Sequence, residues 1–429
     1  MKRLLATTLL CASMPLTLMA QDKPAEIKIG MTTFLTGPAS VFGVPARDAA
    51  EIFVADINAA GGIHGVPVRI SYIDEGAGAE ALTSEFRRLV EGEGADVMFA
   101  AISSGNCVTL APLAEDLKVP NFMWDCGTQR IFEEDEYKYV FRPQANATAE
   151  MMAAILYLLQ EKPDFTTIAV VNQDYAWGRD SWDIFRTALE VMKPDAKVVG
   201  EFFPKLGSAD FSTEISRLQA LRPDVILSTS WGGDLDTFVQ QASQRGLMNS
   251  STFLLPLAES SLERLGSSLP AGHLIGGRGD HYFLHPTRRD DADFQDFMEK
   301  YKARTGSIPI YSVFHASQAF AALEAAYDKA IADNNGNWPD EDQLLAAMEG
   351  LEFRGLGGTV RIREDNQGIE DQLMGTTVQT GDYPFATMEK MVIYDGDDLL
   401  PPVGQESLAW IRTLGADFGD QVGRETYDN

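Results

Sequence analysis

Hydrophobic and polar positions along the chain switch between two periods. Ile27-Lys28-Ile29-Gly30-Met31 reads as a strand and is followed by the turn Thr36-Gly37-Pro38. Over residues 46–59 the apolar positions Ala49, Phe53 and Ile57, with Ala50 and Val54 beside them, recur at helical spacing. Ala60-Gly61-Gly62 closes that helix, because glycine tolerates the left-handed turn just past a helix end. The pattern then predicts a strand over 68–73 and a helix over 80–91, with Leu82, Phe86, Leu89 and Val90 on one face. A strand over 97–101, a helix over 108–117 and a strand over 120–124 follow. The order β-α-β-α-β-α-β calls for a parallel sheet covered by helices on both faces.

A second run repeats the rhythm. Helices are predicted over 149–159, 180–192, 211–221 and 235–245, with strands over 167–171, 198–203 and 225–228 between them. No Gly/Ser linker separates the runs, so they read as two lobes joined by short crossings, which a chain of 429 residues can accommodate. Helices over 294–303 and 313–331 precede a β-rich segment from Gly357 onward, with strands over 359–362, 375–379 and 388–394. The expected fold class is α/β, with two Rossmann-like lobes.

The N-terminus reads differently. Met1-Lys2-Arg3 is a basic start, Leu4 to Leu18 is mostly apolar, and Ala20 ends the run with a small residue. This is the pattern of a secretory signal cleaved after residue 20; a membrane anchor fits worse, because the run is short and holds Pro15. Cys11 lacks the small-residue context of a lipidated cysteine. Loss of Lys2 and Arg3 takes the formal charge from −28 to −30, and so large an acidic excess argues against nucleic acid or anionic lipid as a partner. No later apolar run reaches membrane-spanning length, so the mature chain is expected in the periplasm.

Two cysteines remain, Cys107 and Cys126, a disulfide candidate in an oxidising compartment. No Cys/His spacing suggests zinc, and no metal or cofactor is expected. His281 and His285, four residues apart and followed by Pro286, read as a surface loop. No GxSxG, Walker loop, HExxH or GxGxxG after a strand is present, and an enzyme is not expected. Adjacent carboxylates such as Asp74-Glu75 and Asp397-Asp398 read as solvated surface. Arg278-Gly279-Asp280 reads as a chance match to an adhesion tripeptide.

The candidate chemistry lies at strand ends, because ligands of open α/β sheets bind beyond the carboxyl ends of the strands. Ser103-Ser104-Gly105 stands between a strand and a helix, where hydroxyls and free N–H groups suit a carboxylate; a plain N-cap is the alternative. Asp125 follows Trp124 at the next strand end and could receive an ammonium group. Trp124, Trp177 and Trp231 all fall at predicted strand ends, where aromatic walls around an apolar or cationic ligand or packing between lobes would account for them.

From about Ile27 to Gln379 the chain resembles the periplasmic leucine/isoleucine/valine-binding type of solute-binding protein. The resemblance rests on Leu35-Thr36-Gly37-Pro38-Ala39-Ser40-Val41-Phe42-Gly43 and on Ala55-Asp56-Ile57-Asn58-Ala59-Ala60-Gly61-Gly62-Ile63-His64-Gly65. Ile168-Ala169-Val170-Val171 with Trp177-Gly178, Asp210-Phe211-Ser212-Thr213, and Phe294, Tyr301, Gly306 and Pro309 complete it, in the same order and spacing. It implies two lobes with parallel sheets joined by a hinge, the type I periplasmic binding protein fold, and a ligand cleft between them. The implied division is a signal peptide over 1–20, a first lobe of 21–145 and 276–355, and a second lobe of 146–275 and 356–429 that includes a C-terminal extension.

By the same resemblance Ser104, with Ser103 and Gly105 beside it, holds a ligand carboxylate, and Asp125, Gly127 and Thr128 supply further polar contacts. Phe42, Trp177 and Trp231 fall at the aromatic positions. The family's amine-binding acid follows a proline; here Pro256 is followed by Leu257, and the nearest acid is Glu259. That departure leaves two alternatives, Asp125 in place of the missing acid or a ligand without an α-amine, and tryptophan at two walls usually held by tyrosine points to an amino-acid-like, aromatic, cationic or amide solute other than leucine. A bond between Cys107 and Cys126 would brace the loops carrying Ser104 and Asp125. The implied function is the solute-binding subunit of an ABC importer, a monomer that closes on its solute and docks transiently on a membrane permease. The alternative is an exported sensor of the same fold that reports to a receptor or regulator.

Overall fold

A computed structural model describes residues 23–428; the expected signal segment lies outside the described residues. The chain opens with β1 (Ile27–Thr33), α1 (Ser40–Ala59), β2 (Val68–Asp74), α2 (Ala79–Arg87) and β3 (Val97–Phe99). Then come α3 (Ser104–Leu117), β4 (Asn121–Phe122), α4 (Arg130–Glu134) and β5 (Val140–Phe141). These strands make one parallel sheet in the order β2-β1-β3-β4-β5. Its central strands are buried on both faces, which is why Val97-Met98-Phe99 reads as an unbroken apolar run.

The second lobe is built from α5 (Ala147–Glu161), β6 (Thr167–Val171), α6 (Ala176–Met192), β7 (Lys197–Phe202) and α7 (Ser212–Leu221). It continues with β8 (Val225–Leu227), α8 (Gly232–Gln244), β9 (Thr252–Leu255), α9 (Leu262–Leu265) and β10 (Leu274–Gly276). The chain then returns to the first lobe as α10 (Ala292–Thr305), α11 (Tyr311–Asp333) and α12 (Glu341–Met348). Phe297 of α10 stacks on Phe53 of α1 with ring centres 4.9 Å apart, and Phe320 of α11 meets Phe99 edge-on at 5.1 Å. A small antiparallel sheet, β11 (Glu352–Arg354), β12 (Thr359–Ile362) and β13 (Gly368–Ile369), lies against α11. The last elements are β14 (Gln372–Val378), β15 (Thr387–Tyr394), α13 (Ser407–Ile411) and β16 (Arg424–Tyr427).

The second sheet has the order β16-β15-β14-β10-β9-β8-β6-β7. Its β6 to β10 strands are parallel, but β14, β15 and β16 run antiparallel, so the sheet is mixed where a wholly parallel one was expected. A short connection joins β14 to β15, and short connections make antiparallel pairs. Strands β9 and β10, four and three residues long, were not read from the pattern, because runs that short carry no measurable period.

Four helices start earlier than the sequence reading. Expected at residues 46, 108, 180 and 235, they begin at Ser40, Ser104, Ala176 and Gly232. Their first turns hold Gly, Ser, Asn and Trp in place of periodic apolar residues, so the segments just before the expected starts are helix N-termini. Helix α1 runs through Pro45, near its start, where a missing N–H removes a single main-chain bond.

The crossings between lobes are tied together by main chain and side chains. Arg142 N donates to Asn366 O and Gly368 N donates to Arg142 O, at 2.9 and 2.8 Å. Gln367 Nε2 donates to Gln144 O at 2.7 Å, and Gln367 Oε1 accepts from Arg142 Nη1 at 2.8 Å. At the C-terminus Trp410 is buried on α13, which packs against α6. Among the described residues no helix is long and apolar enough to cross a membrane.

Two expectations about surface residues are corrected. His281 and His285 are both fully buried: His281 Nε2 meets Glu370 Oε1 at 2.7 Å, and His285 Nε2 meets Asp280 Oδ1 at 2.6 Å. Glu75 is buried too, and accepts from Thr32 Oγ1, Ile102 N, Ser103 N and Asn106 Nδ2. In each case a polar partner fixed by the fold offsets the desolvation that made burial improbable from sequence.

Candidate functional site

The carboxyl ends of both sheets converge on one narrow space. It is lined by Ile102, Ser104 and Asp125 from the first lobe and by Tyr175, Trp177, Trp231, Leu257 and Arg278 from the second. The side chains approach closely enough that the centre of a water-sized sphere has only ≈ 10 Å³ to move in, which is room for about one water.

On the first-lobe side, Ser104 opens helix α3, and its Oγ accepts from Thr128 N at 3.3 Å. The N–H groups of Ile102 and Ser103 donate to Glu75, so an internal carboxylate already satisfies the main chain just before the helix. Gly105 is exposed and does not line the space. The disulfide between Cys107 and Cys126 is present and ties α3 to the segment after β4. Gly127 is required by closeness: a Cβ there would sit 2.3 Å from Trp177 Cζ3 and 2.8 Å from Arg278 Nη2. Thr128 Oγ1 reaches across to Asp180 Oδ2 at 2.6 Å.

The second lobe supplies the aromatic faces. Trp177 Nε1 donates to Thr229 O at 2.8 Å, and Trp231 Nε1 donates to Tyr175 Oη at 2.6 Å, which sets both ring planes. Phe42 lies behind the wall, 5.4 Å from the Trp231 ring and 4.9 Å from Tyr311. Trp124 is a core residue: it is fully buried and its Nε1 donates to Thr32 O. Glu259 does not line the space. It is buried with Oε2 accepting from Tyr311 N at 2.7 Å and Oε1 without a partner. Burial pushes its carboxyl up to about 8, against the pull of that N–H.

Arg278, set aside in the sequence as part of a chance tripeptide, is at the centre. It follows β10, carries a left-handed backbone (φ 50°), and is 7% exposed. Nε donates to both oxygens of Glu150 at 3.2 and 3.3 Å, Nη1 to Asp125 Oδ1 at 3.0 Å, and Nη2 to Asp125 O at 2.6 Å. The guanidinium lies 5.0 Å from the Trp177 ring centre and 5.3 Å from that of Tyr311. Left-handed backbone outside glycine is uncommon and tends to mark functional positions. The available signal was an arginine directly past a strand end, but that strand is only three residues long.

Burial disfavours the Arg278 charge, yet Asp125 and Glu150 outweigh it and hold the guanidinium above its usual pKa. Burial raises both carboxyls to about 7, with Arg278 pulling them down. Behind Asp125 stands His315, whose Nδ1 meets Asp125 Oδ1 and whose Nε2 meets Arg278 O. Burial, with His281 and Arg278 nearby, keeps that imidazole well below its usual pKa. His281, His315 and Glu370 offer ligand atoms within 4.8 Å of one another. The ring nitrogens of both histidines are engaged by Arg278 O, Glu370 and Asp125, which makes the cluster a support for the Arg278 backbone.

The family model described as periplasmic binding protein matches residues 26–382. The chain belongs to the periplasmic binding protein family. It is 25% identical over 399 residues to Leu/Ile/Val-binding protein homolog 8 of Brucella abortus (strain 2308), covering 83% of this chain and 89% of that one. Homolog 7 of the same strain is 25% identical over 398 residues, covering 84% and 91%. Among solved structures, a solute-binding protein of an ABC transporter from Rhodopseudomonas palustris BisB5, in complex with 3,4-dihydroxybenzoic acid, superposes with a TM-score of 0.74 at 19% identity, over 87% of this chain and 98% of that one. A periplasmic binding protein from Burkholderia mallei superposes with a TM-score of 0.76 at 18% identity, over 90% and 99%. Periplasmic binding proteins thus share the two-lobe α/β fold of this chain.

Proposed function

We propose that the protein is the extracytoplasmic solute-binding subunit of an ABC importer, which captures a small amino-acid-like or aromatic solute between its lobes and delivers it to a membrane permease. The observation that carries this reading is the convergence of Ser104 and Asp125 from one sheet with Trp177, Trp231 and Arg278 from the other on a single space. The space is so narrow that entry requires the lobes to part. Contacts to both lobes then favour the closed form by as much as the solute binds it better than the open one. Binding proteins for branched-chain amino acids and for hydroxybenzoates among the relatives and neighbours support a solute of this size. A leucine-binding-type family and a signal-like N-terminus support a periplasmic location.

The test is a thermal-shift screen of the mature chain with amino acids, aromatic acids and amides, followed by calorimetry and solution scattering on the best binder. The expected result is a rise in Tm by mass action and a smaller radius of gyration with solute. Ser104→Ala and Trp177→Phe should each weaken the best binder at least fivefold. Unchanged affinity in both variants would show that the solute binds elsewhere.

A further inference from the structure

On the reading of the interlobe space as a solute site, on which this inference rests, the geometry points to a ligand that is an organic acid without an ammonium group. Arg278 of the chain itself occupies the place where an amine would be received. An ammonium site needs acceptors and aromatic faces. Both are present here, and both are used: Asp125 and Glu150 accept from the Arg278 guanidinium, and Trp177 and Tyr311 cover its faces. The other nearby acids are closed to a ligand. Glu370 is paired with His281, Glu75 accepts four hydrogen bonds, and Glu259 lies outside the lining and takes the Tyr311 N–H.

What remains around the space is donors. Arg278 has five N–H groups, and three are engaged. Tyr175 Oη accepts from Trp231 Nε1, which leaves its own proton to give. Ser104 Oγ accepts from Thr128 N, which likewise leaves its proton. A carboxylate, with about four lone-pair positions, satisfies such a set; an ammonium would have to share Asp125 with the Arg278 cation and would otherwise meet only hydroxyl oxygens. The apolar part of the acid would lie against Ile102, Leu257 and the tryptophan faces.

Matched pairs that differ only in the α-amine decide the matter: 3-phenylpropanoate against L-phenylalanine, 4-methylpentanoate against L-leucine, and 3-(4-hydroxyphenyl)propanoate against L-tyrosine. Calorimetry on the mature chain at pH 7.5 should show the acid of the best-bound pair at least about a hundredfold tighter, because an ammonium buried beside the Arg278 cation, with Asp125 already shared, is strongly disfavoured. An amino acid bound as tightly as its des-amino partner overturns the inference and leaves the solute-binding reading standing. A panel in which no member binds overturns that reading and the inference with it. Arg278→Met should weaken the acid at least tenfold and narrow the ratio within the pair. Where that variant does not fold, Tyr175→Phe should weaken the acid about fivefold without altering the amino acid; equal loss for both members counts against the assignment.

Discussion

Replacing Arg278 by methionine tests the electrostatics of the cleft directly. The substitution keeps much of the side-chain volume and removes the charge that faces Asp125 and Glu150, both buried and both within hydrogen-bond reach of the guanidinium. Breaking a buried ion pair from one side typically costs about 3–5 kcal/mol. Loss of the cation's contact with Trp177 and Tyr311 adds about 1–2 kcal/mol. For a domain pair of this size, with an unfolding entropy of about 2 cal/mol/K per residue, a total near 5 kcal/mol lowers Tm by roughly 6 °C. The loss should depend on pH. Both carboxyls already stand near 7 because of burial, and without Arg278 they move higher. A carboxyl raised on folding contributes stability below its unfolded pKa, and that contribution is lost as pH rises through the folded value. Arg278→Met should therefore lie closest to the wild type near pH 5 and fall furthest behind at pH 8. Calorimetric melts of both proteins at pH 5, 6.5 and 8 measure this directly. An equal Tm difference at all three values, or none at any, would refute a paired cation between two buried acids.

Three further outcomes are expected. Gly127→Ala places a methyl against the Trp177 ring of the facing lobe, so it should favour the open form, enlarge the radius of gyration in solution scattering and weaken solute binding at least tenfold, while far-ultraviolet circular dichroism stays unchanged. Removing the disulfide by Cys107→Ser with Cys126→Ser releases a loop of sequence separation 19, which the loop-entropy relation puts at about 3 kcal/mol; reductant should lower the wild-type Tm and leave the double variant unmoved. Glu259, raised by burial to about 8, loses its contribution as pH climbs from about 5 toward 8, so Glu259→Gln should gain stability relative to the wild type as pH rises, read as a growing Tm difference between pH 5.5 and 8.5.

Periodicity made most of the architecture legible. The strands at Ile27–Thr33, Val68–Asp74 and Thr167–Val171 and the helices behind them were readable because burial on one or both faces imposes a period of two or of 3.6 over enough residues to count. The ordered strand ends then directed attention to Ser104, Asp125, Trp177 and Trp231, and the structure brings all four to one space. Local pattern could not show how Arg278 is used. Its strand is three residues long, and its partners Asp125, Glu150 and Tyr311 are 153, 128 and 33 positions away in the chain. The burial of Glu75, His281 and Glu259 was hidden for the same reason: a charged side chain goes inside only where distant segments supply its hydrogen bonds. Sequence alone determined two α/β lobes and the strand ends that face each other, because those follow from repeating burial along neighbouring residues. Only the tertiary structure decided which polar groups meet between the lobes and which are already matched, because pairing depends on distances that no local spacing encodes.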